Sequence, residues 1–254
     1  ARVTQSVPMS RLEPLFASRP NDVLTLIPSR RPVLAWLAAI DVRVRPWVIS
    51  NFPDILLHEG DPQTWDRYSA DQAFKSIVQS TETRIRVTNW FKSTGEYLRI
   101  SRALSPGQVA AVLNNAEASL QSRSIAYRLA RHGKLKDCAD AAFEIYRGKA
   151  RFEWETTAAL AVLEVVGTPS HREQVLDDIE SGVLTTNELI GAALPSVSWS
   201  MFSPVRLATI FDRTHSEGDH GTGPMADTLR RNMLPKADLA SATLLLQAVL
   251  LSLP

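Results

Sequence analysis

The feature that most constrains this chain is its punctuation. Apolar residues recur at helical spacing over short runs, and Pro, Gly or Asn closes run after run. A period near 3.6 that is interrupted every few turns builds short helices joined by tight turns. Stretches that alternate apolar and polar residues are scarce. Residues 42–48 (VRVRPWV) alternate, but Pro46 removes a ladder hydrogen bond. Residues 83–87 alternate over too short a span and run into Trp90 and Phe91 at helical spacing. The pattern predicts an all-α chain.

The helix limits follow from the breakers. Pro32 suits the first position of a helix through VLAWLAAI. Asp41 is placed to cap a helix carrying Val44, Trp47 and Val48. Asn51-Phe52-Pro53 breaks that helix, and a new run from Pro53 reaches Gly60-Asp61-Pro62 before a helix over 66–79. From residue 105 the order becomes regular. Ser105-Pro106 opens a helix over 108–113; 120–131 is closed by Gly133, 135–146 by Gly148, 151–166 by Gly167 and 173–179 by Gly182. Thr185 or Thr186 caps 188–194, and Ser203-Pro204 starts 205–211. Leu129 and Leu163 lie 34 positions apart, as do Gly133 and Gly167, and both glycines are expected in left-handed geometry at helix ends. A helix pair of that length cannot bury its own apolar stripe, so neighbours must stack. The expected architecture is a right-handed α-solenoid of HEAT-like antiparallel helix pairs. It comprises an N-terminal helical segment (1–104), helix-pair repeats (105–202) and a C-terminal helical segment (203–254).

Composition excludes several classes. With 44% hydrophobic and 22% charged residues the chain is globular, not disordered or collagenous. One cysteine makes neither an internal disulfide nor a multi-thiolate zinc site. A basic n-region followed by an apolar core is absent, so no secretory signal is read and a cytoplasmic location is expected. Residues 240–254 (ASATLLLQAVLLSLP) are apolar but shorter than the roughly 20 residues a membrane span requires. This run reads as a core helix whose partner lies beyond Pro254 or on another chain. Together with a start at Ala1 rather than Met, it points to a piece of a longer protein.

The net charge of +1 hides segregation. Arg84, Arg86, Lys92, Arg99 and Arg102 face one acid, Glu96, between 84 and 102. A second basic block holds Arg123, Arg128, Arg131, Lys134, Lys136, Arg147, Lys149 and Arg151, against Asp137, Asp140 and Glu144. Residues 152–200 reverse the sign, with Arg172 the one base among Glu153, Glu155, Glu164, Glu173, Asp177, Asp178, Glu180 and Glu188. In a stacked array these blocks become spatial blocks. Arg84, Arg86, Arg99, Arg102, Arg123, Arg128, Arg131, Lys134, Arg147 and Arg151 therefore form the candidate partner-binding patch. The competing reading is solvated helix faces and cations at helix C-termini, where the macrodipole favours them.

Chemistry-bearing motifs are few. His215, Glu217, Asp219 and His220 cluster in HSEGDHGTGP, but a glycine-rich loop without a helical His pair is a poor metal cradle, and no metal is expected. Gly221-Thr222-Gly223 lacks the G-x-x-x-x-G-K-[ST] of a phosphate loop, G-x-G-x-x-G is absent, and so is the G-x-S-x-G elbow. No cofactor or catalytic residue is expected, and the chain reads as a non-enzyme. Cys138 lies at helical spacing with Ala142 and Ile145 and reads as a small core residue. His58 and Glu59 are adjacent and point apart on a helix. Of the six tryptophans, Trp36 and Trp47 read as core; Trp90 and Trp199 (with Phe202) are candidate interface anchors that also default to core.

Two stretches carry a family resemblance. Leu34 to Leu37 (LAWL), Ile40-Asp41, Pro53 through Leu57 and Gly60-Asp61-Pro62 follow in an order that resembles a segment of large bacterial NACHT-type (STAND) NTPases. Leu189, Leu194-Pro195, Met201-Phe202, Leu229, Leu234-Pro235 and Asp238-Leu239 resemble the region after the helical repeats of those proteins. The family's NTPase motifs are missing, so no catalytic residue transfers. The resemblance implies a helical-repeat part C-terminal to an NTPase core, serving sensing, autoinhibition or assembly, in a family with many antiphage members. Two other readings stand beside it. One is a nucleic-acid-binding HEAT-like protein using the basic blocks, with Trp90 and Tyr127 for stacking. The other is an adaptor that self-associates through its C-terminal apolar helix.

Overall fold

A computed structural model describes residues 7–61, 64–83, 94–184, 186–215 and 237–252. Most of these are helical, as the breaker pattern predicts. The chain divides into two compact units, Ala1–Leu135 and Lys136–Pro254. Among the described residues no helix is long and apolar enough to cross a membrane.

The first unit opens with α1 (Met9–Phe16) and a short antiparallel ladder in which β1 (Ala17–Ser18) sets Ala17 opposite Leu26 of β2 (Thr25–Leu26). It continues through α2 (Arg31–Ile40), α3 (Val44–Asn51), α4 (Pro53–His58), α5 (Arg67–Thr83), α6 (Thr94–Ala103), α7 (Gln108–Asn114) and α8 (Leu120–Gly133). Leu12, Phe16, Leu34, Val48, Ile55 and Trp65 bury one core cluster. Phe74, Ile77, Ile100, Leu113 and Leu129 are buried further along the same unit. The alternating run 42–48 is helix from Val44 on, with Pro46 in the first turn, where its missing N–H leaves no ladder unmade.

The second unit holds a 3-10 turn (Lys136–Cys138), α9 (Ala139–Glu144), a π turn (Ile145–Lys149), α10 (Glu153–Val166), α11 (Pro169–Ser181), α12 (Asn187–Ala193), α13 (Pro204–His215) and α14 (Leu239–Ser252). Leu160, Leu163, Val175, Leu176, Leu194 and Leu207 form its interior. The single helix expected over 135–146 is three pieces. Tyr146 and Arg147 leave α9 through the π turn and bind Asp178 of α11, and Gly148 closes the turn at φ 125°. Such a local widening lets side chains reach a partner that a regular helix would miss.

Caps fall where the short polar residues sit. Oγ1 of Thr168 accepts the His171 N–H, and Oγ1 of Thr186 accepts the Leu189 N–H. Oγ of Ser119 accepts the Ser122 N–H, and Oγ of Ser203 accepts the Arg206 N–H. Gly182 ends α11 at φ 78°, as expected. The 34-residue glycine pair is different. Gly167 has φ −58°, and Gly133 is the last helical residue of α8, with Lys134 taking the left-handed position at φ 54°. Gly133 is needed for another reason: any Cβ there would overlap Cβ and Oγ of Ser101 on α6.

One device recurs. In three helix pairs an arginine of the second helix caps the C-terminus of the first. Arg45 of α3 donates to the Ala38 and Ala39 carbonyls of α2 at 3.0 Å each. Arg123 of α8 donates to Leu113 at 2.9 Å and Asn115 at 3.2 Å at the end of α7. Arg172 of α11 donates to Gly167 at 3.1 Å and Glu164 at 3.3 Å at the end of α10. Each guanidinium satisfies two carbonyls left over by the helix and meets the negative pole of its dipole.

Cys138 is fully buried, as its spacing predicts. Burial, then the charge of Asp137, pushes its thiol up to about 12. Between the free-thiol range near 8.5 and about 12, the unfolded chain releases a proton that the folded chain keeps, so this group removes stability as pH rises there. At pH 8 iodoacetamide is expected to leave Cys138 unmodified in the native protein and to alkylate it in about 6 M guanidinium. Rapid native labelling, read by mass, would contradict the buried placement.

Candidate functional site

The cations of the sequence-derived patch do not share one fate. Arg84 and Arg86 lie outside the described residues, as do Trp90, Glu217, Asp219 and His220. Arg123 is not a surface residue: it is 2% exposed, and its guanidinium is committed to α7 carbonyls. Its position inside the α7–α8 pair corrects its place in the patch. Arg99 is half-buried, with an Nε atom that is buried and lacks a hydrogen-bond partner. Arg128 is exposed, but Nη1 donates to the Tyr97 hydroxyl at 3.2 Å.

Arg102, Arg131 and Lys134 are exposed in the first unit. Arg102 is in the last turn of α6, and Arg131 and Lys134 are at the end of α8. The close approach of Ser101 and Gly133 brings these two helix ends together. His132 stacks on Tyr97 with ring centroids 5.2 Å apart. Burial, then Arg131 and Arg128, holds this imidazole below its ordinary value, so it is neutral at pH 7. The result is a small cationic helix end with a neutral aromatic pair behind it. Cations at a helix C-terminus are also what the dipole alone favours.

In the second unit Arg147 is exposed and donates through Nη1 to both carboxylate oxygens of Asp178 at 2.9 Å. The Tyr146 hydroxyl donates to the same carboxylate at 2.8 Å. Burial first, then Asp178, raises the Tyr146 phenol well above its ordinary value. This triad ties the π turn to α11. Arg151 lies 5.6 Å over the Phe152 ring. The acids read as an electronegative block also make internal ties. Arg206 bridges Glu180 and Asp177, and Oε2 of the buried Glu155 accepts the Arg151 and Phe152 N–H groups before α10.

Among the described residues no group of three or more His, Cys, Asp or Glu converges as a metal site would require. Nδ1 of His171 accepts the Thr168 N–H at 3.4 Å, and Nε2 lies 3.3 Å from Asp140.

What sequence reasoning missed is apolar. α2 (RPVLAWLAAI) buries Leu34, Ala35 and Ala38, yet also exposes Val33, Trp36 and Ile40. Trp36, read as core, is 55% exposed. Positions 33, 36 and 40 share one helix face. Pro32 before them and Val42 after them are exposed as well. A helix apolar on every side is ordinarily buried all round, so an exposed stripe on it is unusual. The face holds no charge and suits an apolar protein surface, not a phosphate backbone.

No family model, curated protein or solved structure matches this chain.

Proposed function

We propose that this chain is a non-enzymatic binding and regulatory module. In this reading it is an α-solenoid section of HEAT-like helix pairs within a larger bacterial NACHT-type NTPase, used for sensing or assembly in antiphage defence. The uncharged stripe of Val33, Trp36 and Ile40 on α2 carries the reading, because its best complement is an apolar helix of a protein partner or of the remainder of the longer chain. The repeated arginine cap supports the helix-pair part of it: one fastening, at α2–α3, α7–α8 and α10–α11, is what a duplicated unit leaves behind.

The alternative is nucleic-acid binding through a basic face. It loses Arg123 to the interior, and Arg128 and Arg147 to internal partners. Titration with fluorescent single-stranded DNA and duplex RNA at about 50 mM salt separates the readings, because phosphate contacts are strongest at low salt. The expected result is no saturable binding below about 100 µM protein, weaker than ordinary non-specific affinities. Micromolar binding whose logarithm falls linearly with that of salt, and which weakens in Arg102→Ala and Lys134→Ala, would establish the alternative. The NACHT assignment has its own test in the complete reading frame. A G-x-x-x-x-G-K-[ST] motif N-terminal to Ala1 is expected, and its absence there overturns the assignment.

A further inference from the structure

The α6–α8 contact carries a group that an ordinary change of pH can charge. α6 packs along α8, and near the end of both helices Gly133 meets Ser101 with no room to spare. Beside that close approach the His132 ring lies on the Tyr97 ring, their planes 23° apart. Tyr97 is buried and His132 half-buried, so the stacked face of the imidazole is out of water. A proton on this ring therefore has to be accommodated inside a helix contact that has no slack.

The surroundings oppose that proton. The charges that act on the ring are those of Arg131 and Arg128, and Lys134 and Arg102 stand at the same two helix ends. The elements packed on α6 and α8 do not answer them. Glu96 of α6 acts on Tyr97, Asp71 of α5 accepts the Ser105 N–H, and Asp54 of α4 is paired with Arg31. Arg67 and Lys75 of α5 are exposed, and α7 has no charged residue. A helix C-terminus favours cations, but a helical side chain leans towards the N-terminus, which carries this ring back over the preceding turn. Arg128 of that turn donates to the hydroxyl of the same Tyr97. The Ala130 and Arg131 carbonyls are already taken by the Lys134 and Leu135 N–H groups.

We propose that the Tyr97–His132 stack is a proton-operated latch on the α6–α8 contact, closed while His132 is neutral and released when it takes a proton. On release the imidazolium leaves Tyr97 for water, and α6 and α8 part at the end that Gly133 holds close. The cationic helix end gains a further positive charge in the same step. The sign follows from the geometry. Burial and neighbouring cations lower the affinity of the closed state for the proton, so the open state binds it more readily. The closed contact is therefore at full strength above the ordinary imidazole value of about 6.5 and weakens as pH falls through the lower value of the stacked ring.

Hydrogen exchange of the whole chain, read by mass and corrected for the intrinsic rate, tests the latch at about pH 7.5 and about pH 5.5, either side of the ordinary imidazole value. Peptides from α6 and from the second half of α8 are expected to lose protection at the lower pH, while α2 and α3 keep theirs. His132→Phe leaves a ring on Tyr97 that takes no proton, and its α6 and α8 should be equally protected at both. Arg131→Gln removes one neighbouring cation. The titration midpoint of His132, read from its ring C–H resonance, should then rise towards the ordinary value with an unchanged circular dichroism spectrum. Protection of α6 and α8 that does not vary with pH overturns the proposal. So does a loss that persists in His132→Phe, or a midpoint that Arg131→Gln leaves in place.

Discussion

Replacing Arg123 with methionine should destabilise the first unit by about 2 kcal/mol, because the buried Leu113 carbonyl loses its donor at about 1–3 kcal/mol, while the Asn115 carbonyl, at an exposed residue, can turn to water. Methionine keeps most of the volume, so this loss reports the polar ties of the guanidinium, those to Leu113 and Asn115 among them. Alanine adds a cavity and should cost about 1–2 kcal/mol more. Lysine should recover little. Its ammonium is a single point on a flexible stem, whereas the planar fork of arginine is matched to two acceptors at once. Urea denaturation with unchanged slope gives the numbers. A methionine variant within about 0.5 kcal/mol of the parent, the range of an ordinary surface change, would mean that the α7 carbonyls have other partners.

That arginine also shows how far sequence reading reaches. As one cation in a basic block it reads as surface charge, since composition and sign carry no information about depth. Its local spacing does. Ser119 caps α8 and Arg123 follows four positions later; Thr168 caps α11 and Arg172 follows four later. Asp41 also stands four before Arg45, but it accepts the Arg43 N–H in the turn before α3 and does not cap that helix as the sequence suggests. Four residues past a cap, a side chain in the first turn can fold back over the incoming loop to the end of the preceding helix. A cap followed by x-x-x-Arg is therefore legible locally. What stays hidden is that the preceding helix ends within reach.

The helix ends themselves were largely readable. Thr168-Pro169, Gly182, Thr186 and Ser203 act through their own backbone and nearest neighbours, which is the range over which sequence is informative. The exposed face of α2 was not readable. A segment of RPVLAWLAAI is apolar on all sides, so its pattern says that it is helical and not which side faces the core. The break of 135–146 into a short helix and a π turn depends on Asp178, more than 30 residues away. The structure and the sequence disagree most where a residue answers to a distant partner.

Gly133 is the sharpest such case and gives the second large effect. Local rules mark it as a left-handed helix end, and on that basis Gly133→Ala should cost the strain of a positive φ. Its backbone is helical, however, and intrinsic propensity alone predicts a gain of about 1 kcal/mol for alanine. Packing reverses the sign. The new methyl would meet Cβ of Ser101, which is bonded to the α6 backbone and has no rotamer to escape into. α6 and α8 must separate, and overpacking of this kind costs typically 1–3 kcal/mol. The expected net loss for Gly133→Ala is about 2 kcal/mol, with faster amide exchange in both helices. Ser101→Gly alone should cost about 1 kcal/mol as a glycine inside a helix. In the double variant the two changes should compensate, leaving it more stable than Gly133→Ala alone, with a coupling of about 2 kcal/mol in the cycle. Strict additivity would show that the helices do not meet at this pair. A favourable coupling would place the α6–α8 contact, and the cationic helix ends on either side of it, on a glycine chosen for closeness rather than for turn geometry.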